Sequence, residues 1–148
     1  MSVLLVGTGQ VGVRAARQIV DTPGSGPLLV ASSDPARAAA LAASLHAEAE
    51  GLPGAGVSVP SGTAAVVVAT GGAAARAWAR AAVAAGVPVA TLQDGVAAEL
   101  DEPARDAGVP VVAGAAVTPG LSDVLARHAA DLFDRVDEVH VARAGASG

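Results

Sequence analysis

The sequence predicts an α/β chain: a doubly wound, mainly parallel sheet with helices on both faces. Three observations lead there. Short continuous apolar runs, such as Val3-Leu4-Leu5-Val6 and Ala65-Val66-Val67-Val68-Ala69, read as strands buried on both faces. Segments of helical character separate the runs, which is the pattern of βαβ units with right-handed crossovers. Alanine fills those segments, and small side chains let a helix sit close on a sheet. A length of 148 residues suits one such domain.

The elements follow in order. Val3 to Val6 opens the chain as a strand. Gly7 to Gly12 is a turn, and a helix runs on to about Val20 with Gly12, Ala15, Ala16 and Ile19 on one stripe. Asp21 to Pro27 is a loop by its Pro and Gly content. Leu28 to Ala31 is the second strand. Asp34 at the N-cap and Pro35 at the first helical position start a helix that runs to about Leu45. After the Gly/Pro-rich residues 50–56, Val57-Ser58-Val59 reads as a weak third strand.

Ala65 to Ala69 is a strong fourth strand. Ala73 to Ala85 is a helix of good formers, stopped by Gly86 and Pro88. Trp78 at its centre is expected to cover the sheet as a core ring, and Arg76 and Arg80 to form a solvated pair. Val89 to Leu92 is the fifth strand. The helix from Ala97 to Ala107 contains Pro103 and is expected to break or kink there. Val111 to Ala113 is the sixth strand. Leu121 to Phe133 is the best amphipathic helix, with Leu121, Val124, Leu125, His128 and Leu132 on one face. Asp123–Arg127 and Asp131–Arg135 are acid-before-base pairs on another. Val136 to Ala142 reads as one more strand, giving six or seven in all. Residues 1–135 are then expected to form the domain, and residues 136–148 a strand and tail.

Composition removes several functions. A net charge of −5 and two aromatic rings, Trp78 and Phe133, supply neither the basic footprint nor the stacking platforms of a nucleic-acid binder. No apolar stretch is long enough to span a membrane, and no secretory signal opens the chain, so a cytoplasmic location is expected. Without Cys there is no disulfide, thiolate metal site or cysteine nucleophile. Without Lys there is no P-loop lysine; all nine basic residues are Arg. His46, His128 and His140 share no ligand spacing, and a packed His128 is the expected state. No metal site is expected.

Gly7-Thr8-Gly9-Gln10-Val11-Gly12 matches G-x-G-x-x-G, follows a buried strand and opens a helix. Gly7 allows the tight turn. Gly9, lacking a Cβ, lets a pyrophosphate reach the backbone, and Gly12 lets the helix pack on the first strand. Free amides and the positive end of the helix dipole then attract the phosphates. The pattern is the one expected of a dinucleotide cofactor turn in a Rossmann fold. The end of the second strand selects the dinucleotide. An acidic residue there would take the ribose hydroxyls of NAD, but Ser32, 20 residues past Gly12, stands in that place. Ser32, Ser33 and Arg37 suit a 2′-phosphate, so NADP is preferred and NAD is the alternative. Asp34 is read as a helix cap. Thr70 and Gly71 after the fourth strand, and Gln93 and Asp94 after the fifth, occupy carboxyl ends where ligands of doubly wound sheets bind.

The first strand and glycine turn, the Asp34-Pro35-Ala36-Arg37-Ala38 helix start, and Ala113-Gly114 followed by Thr118-Pro119-Gly120-Leu121-Ser122-Asp123-Val124-Leu125 together resemble the N-terminal NAD(P)-binding domain of saccharopine-dehydrogenase-like oxidoreductases. The resemblance runs to about Ala142. It implies hydride transfer between a nicotinamide and a small, amino-acid-derived substrate, with Pro119, Gly120 and Ser122 bordering the active site. It also implies a substrate-binding and dimerising domain beyond Ala142, so substrate would be held by an absent domain. An exposed apolar face near Leu121 and residues 136–141 would then favour a homodimer. No catalytic acid or base transfers to a matching position. The alternative functions are a non-catalytic nucleotide-sensing domain and, last, a methyltransferase using S-adenosylmethionine.

Overall fold

The computed structural model describes residues 1–45, 49–51 and 56–142; His46 and the tail beyond Ala142 lie outside them. Six strands form one sheet: β1 (Ser2–Val6), β2 (Leu28–Ala31), β3 (Ala49–Gly51), β4 (Thr63–Val68), β5 (Val89–Thr91) and β6 (Val111–Val112). Their order is β3-β2-β1-β4-β5-β6 and every neighbouring pair is parallel. Five helices connect or follow them: α1 (Gln10–Val20), α2 (Pro35–Ala43), α3 (Gly72–Ala84), α4 (Ala97–Ala107) and α5 (Leu121–Ala130). The doubly wound parallel sheet expected from the apolar runs is therefore present.

The pleat explains why those runs are continuous. Successive side chains of a strand point to opposite faces, so a strand covered on both sides has no polar position. Leu4 and Val6 join Val66 and Val68 in one core, against Ala75, Ala79, Ala82 and Val83 of α3 and Leu100 and Ala104 of α4. Leu5, between them, joins Leu28 and Val30 in the other, against Ala16 of α1 and Ala38 and Leu41 of α2. β1 is the common wall of both cores, with Leu4 in register with Leu29 on one side and Val66 on the other.

Several expectations need correction. The third strand is Ala49–Gly51, paired with β2, and Val57-Ser58-Val59 is loop. Residues 136–142 form no strand, so the described sheet has six. α4 passes through Pro103 as one helix; Pro103 sits on its exposed face. α5 ends at Ala130, short of Phe133, and none of its residues is buried. His128 is accordingly exposed.

The ion pairs also differ. Asp123 accepts the Gly120 N–H at 2.9 Å, while Arg127 pairs with Asp131 at 2.8 Å and Arg135 with Asp137 at 2.6 Å. His140 lies 2.9 Å from Glu138. Arg80 pairs with Glu99, tying α3 to α4. Trp78 is half-buried, packed on the first core with one side left for a cleft.

Candidate functional site at the glycine turn

β1 sits in the middle of the sheet, and its carboxyl end lies where the strand order reverses, with β2 on one side and β4 on the other. The turn that leaves it is fixed to both neighbours. Gly7 N–H donates to Ala31 O at 2.8 Å, and Ala69 N–H donates to Val6 O at 2.8 Å. Gly7 has φ +108°, in the region that favours glycine, and a Cβ there would meet Ala69 O at 2.7 Å. A Cβ on Gly12 would lie 2.0 Å from Gly7 O, so the helix can reach the strand only without one. Gly9 differs: its φ is −74° and a Cβ would meet nothing within 4 Å. Nothing in the described protein requires glycine at that position.

α1 begins with no side-chain cap. Its first helical bond runs from Val13 N–H to Gly9 O at 2.9 Å, so the amides of Gln10, Val11 and Gly12 precede the ladder. Val11 is about half exposed, and Gly12 is buried. α3, which follows β4, likewise starts uncapped at Gly71. Two uncapped helix starts thus flank the end of β1, each offering amides and the positive end of a dipole.

The end of β2 is tied to the turn. Thr8 is nine-tenths buried, and its Oγ1 lies 3.0 Å from Ser32 Oγ. Ser32 Oγ also accepts the Asp34 N–H at 3.2 Å. Arg37 reaches back from α2, and its Nη2 donates to Thr8 O at 3.1 Å. The Asp34 carboxylate accepts the N–H groups of Ala36 at 2.9 Å and Arg37 at 3.3 Å, so it caps α2 as its place before Pro35 suggests.

These groups line a cleft of about 710 Å³. Of the residues singled out in the sequence, Gly7, Thr8, Gly9, Ser32, Ser33, Arg37 and Thr70 meet there. Gln10 lies along a neighbouring polar groove with Thr8, Gly9 and Arg37. Gln93 and Asp94 stand apart from the cleft. Gln93 N–H donates to Thr91 Oγ1 at 3.2 Å, its buried Oε1 has no partner among the described residues, and Asp94 begins a 3-10 turn (Asp94–Val96). Sequence reasoning missed Ala74, Trp78 and the loop residues Gly56, Val57, Ser58 and Pro60, which form another wall. Had β3 been recognised, that loop would have been identified as one leaving a strand's carboxyl end.

The order 3-2-1-4-5-6, with a glycine turn at the switch point, is the Rossmann topology. The chain has a Rossmann fold. Solved structures agree. Saccharopine dehydrogenase (L-Glu forming) from Saccharomyces cerevisiae superposes with a TM-score of 0.71 at 20% identity, over 88% of this chain and 31% of that one. Quinate dehydrogenase from Corynebacterium glutamicum, in complex with NAD, gives 0.60 at 28% identity over 76% of this chain and 44% of that one. An NAD binding oxidoreductase from Klebsiella pneumoniae gives 0.59 at 29% identity over 86% and 38%. The chain spans less than half the length of each. The expected resemblance to NAD(P)-binding oxidoreductases, saccharopine dehydrogenase among them, is borne out in the fold. No protein-family model matches the chain, and no curated protein matches it by sequence.

Proposed function

We propose that the chain binds a nicotinamide dinucleotide across the glycine turn, NADP in preference to NAD, as the cofactor-holding part of an oxidoreductase. The observation that carries this reading is Gly9. Gly7 and Gly12 are glycine because protein backbone stands where their Cβ would be, whereas the space beside Gly9 is empty. A ligand pressed against the backbone is a physical reason for glycine there. The solved quinate dehydrogenase in complex with NAD supports the same choice of ligand class.

The division of work follows from the residues. The amides of Gln10, Val11 and Gly12 would take the pyrophosphate, and Gly9 would let it approach. Ser32, Ser33 and Arg37 would hold the adenine-side ribose and its 2′-phosphate, since the strand end carries hydroxyls and a guanidinium where NAD sites carry a carboxylate. Thr70 and Gly71 would border the same molecule from β4. Gln93 and Asp94, at the end of β5, would border the nicotinamide half. The bound dinucleotide supplies hydride transfer, and the chain's own task is to bind, orient and shield it. The reading assigns a small, amino-acid-derived substrate on resemblance, with substrate-binding groups on a further unit. The chain's span of under half of each relative fits that division.

Titration of the purified protein with NADPH and NADH, followed by nicotinamide fluorescence, tests the proposal. Saturable binding with NADPH tighter is expected. No signal with either at millimolar ligand overturns the function, and equal or tighter NADH binding overturns the preference.

A further inference from the structure

We propose that Thr8 is a positioning residue that selects a phosphorylated ribose by fixing Ser32 as a hydrogen-bond donor into the cleft. The inference rests on the proposed dinucleotide function and deepens it. A hydroxyl has one proton to give and two lone pairs to accept with. Thr8 is nine-tenths buried, and Ser32 Oγ is the partner of its Oγ1 among the described residues. If Ser32 gave its proton to Thr8, the proton of the largely buried Thr8 would find no acceptor among the described residues, a cost larger than the bond itself returns. The Thr8 O–H therefore donates to Ser32 Oγ. The Asp34 N–H fills the second lone pair of that oxygen. With both lone pairs engaged, Ser32 can meet a ligand only by donating. Ser32 lines the cleft, so the donor faces the ligand space.

A donor of fixed sense discriminates between ligands. A ribose hydroxyl can donate or accept, and it forfeits half its options against a pure donor. A phosphate only accepts, and bonds to charged acceptors are about twice as strong as neutral ones. Thr8 also holds the cation in place, because its carbonyl takes the Arg37 guanidinium at 3.1 Å. One buried residue in the glycine turn thus sets both the hydroxyl and the positive charge of the phosphate seat. A remote contact of this kind is invisible in the motif, since Thr8 and Ser32 are 24 residues apart.

The test is a double-mutant cycle on the full chain, with Thr8→Val, Ser32→Ala, the pair together, and Thr8→Ser. NADPH and NADH affinities are measured for each by fluorescence titration. Thr8→Val is expected to cut the NADPH-to-NADH affinity ratio by about three- to tenfold, and Thr8→Ser to restore it. The pair should lose no more than Ser32→Ala alone, because Thr8 acts through Ser32. Equal weakening of both nucleotides by Thr8→Val, or additive losses in the pair, overturns the proposal while leaving dinucleotide binding intact. Should Thr8→Val not fold, Thr8→Ala enters the same cycle with the same outcomes. Wild-type protein that binds neither nucleotide overturns the function and this inference with it.

Discussion

Gly9 and Gly12 stand in one turn, and a side chain would meet opposite surroundings at the two. At Gly12 a Cβ would sit 2.0 Å from Gly7 O, a backbone atom that cannot step aside. At Gly9 it would meet open space on a backbone of φ −74°, which any residue adopts. Gly12→Ala should therefore destabilise the fold by about 2 kcal/mol or more, through strain between α1 and β1. Gly9→Ala should leave stability within about 0.5 kcal/mol while nucleotide affinity falls about tenfold or more. Urea unfolding and NADPH titration of the two variants separate the cases. If Gly9→Ala binds as wild type, the phosphate seat lies elsewhere. These glycines were legible in the sequence because their spacing is local. The Thr8–Ser32–Arg37 contacts were not, because they exist only once β2 lies beside β1.

The same contrast holds among elements. β1, β2, β4 and β5 were readable because each is an apolar run, and burial on two faces demands one. β6 was readable from its paired valines although Val112 is exposed at the sheet edge. β3 was not, because it is an edge strand held by backbone pairing to β2, and Ala-Glu-Gly has no β-branched residue to announce it. Val57-Ser58-Val59 had the better pattern, yet it is loop, with Val57 and Ser58 in the cleft wall and Val59 packed on the core. α4 shows packing overriding local preference: Leu100 and Ala104 are buried, and the helix runs on through Pro103. Pro103 takes a donor from the Glu99 carbonyl on the exposed side of the helix. Pro103→Ala should stabilise the protein by about 1–2 kcal/mol, less than the full propensity difference because proline also restricts the unfolded chain. A lowered denaturant midpoint would contradict this. Leu100→Ala should cost about 2–5 kcal/mol. Leu125→Ala on α5 should cost under about 0.5 kcal/mol, since that side chain is 56% exposed. Amphipathic spacing made α5 the best amphipathic helix of the sequence, but spacing reports which face can be covered, and no described residue covers this one deeply.

At the scale of the whole molecule, the candidate cleft sits where the two cores meet. β1 feeds Leu4 to one and Leu5 to the other, and the groups at its carboxyl end join β2 and β4. A ligand seated there would bind the folded state at the point shared by both cores, so its stabilisation should reach both. With NADPH at a hundred times its Kd, the gain is about 2.7 kcal/mol. For a chain of this size that raises Tm by roughly 5–10 °C. Amides of β1, β2 and β4 that exchange through global opening should then slow by about a hundredfold. α5 joins neither core and has no buried residue, so it can open while the ligand stays bound. Its amides should exchange at the same rate with and without nucleotide. Hydrogen exchange read element by element distinguishes the outcomes. Uniform slowing that includes α5 would mean that α5 opens only with the rest of the fold, and slowing confined to one core would mean that the ligand does not sit at the strand-order reversal.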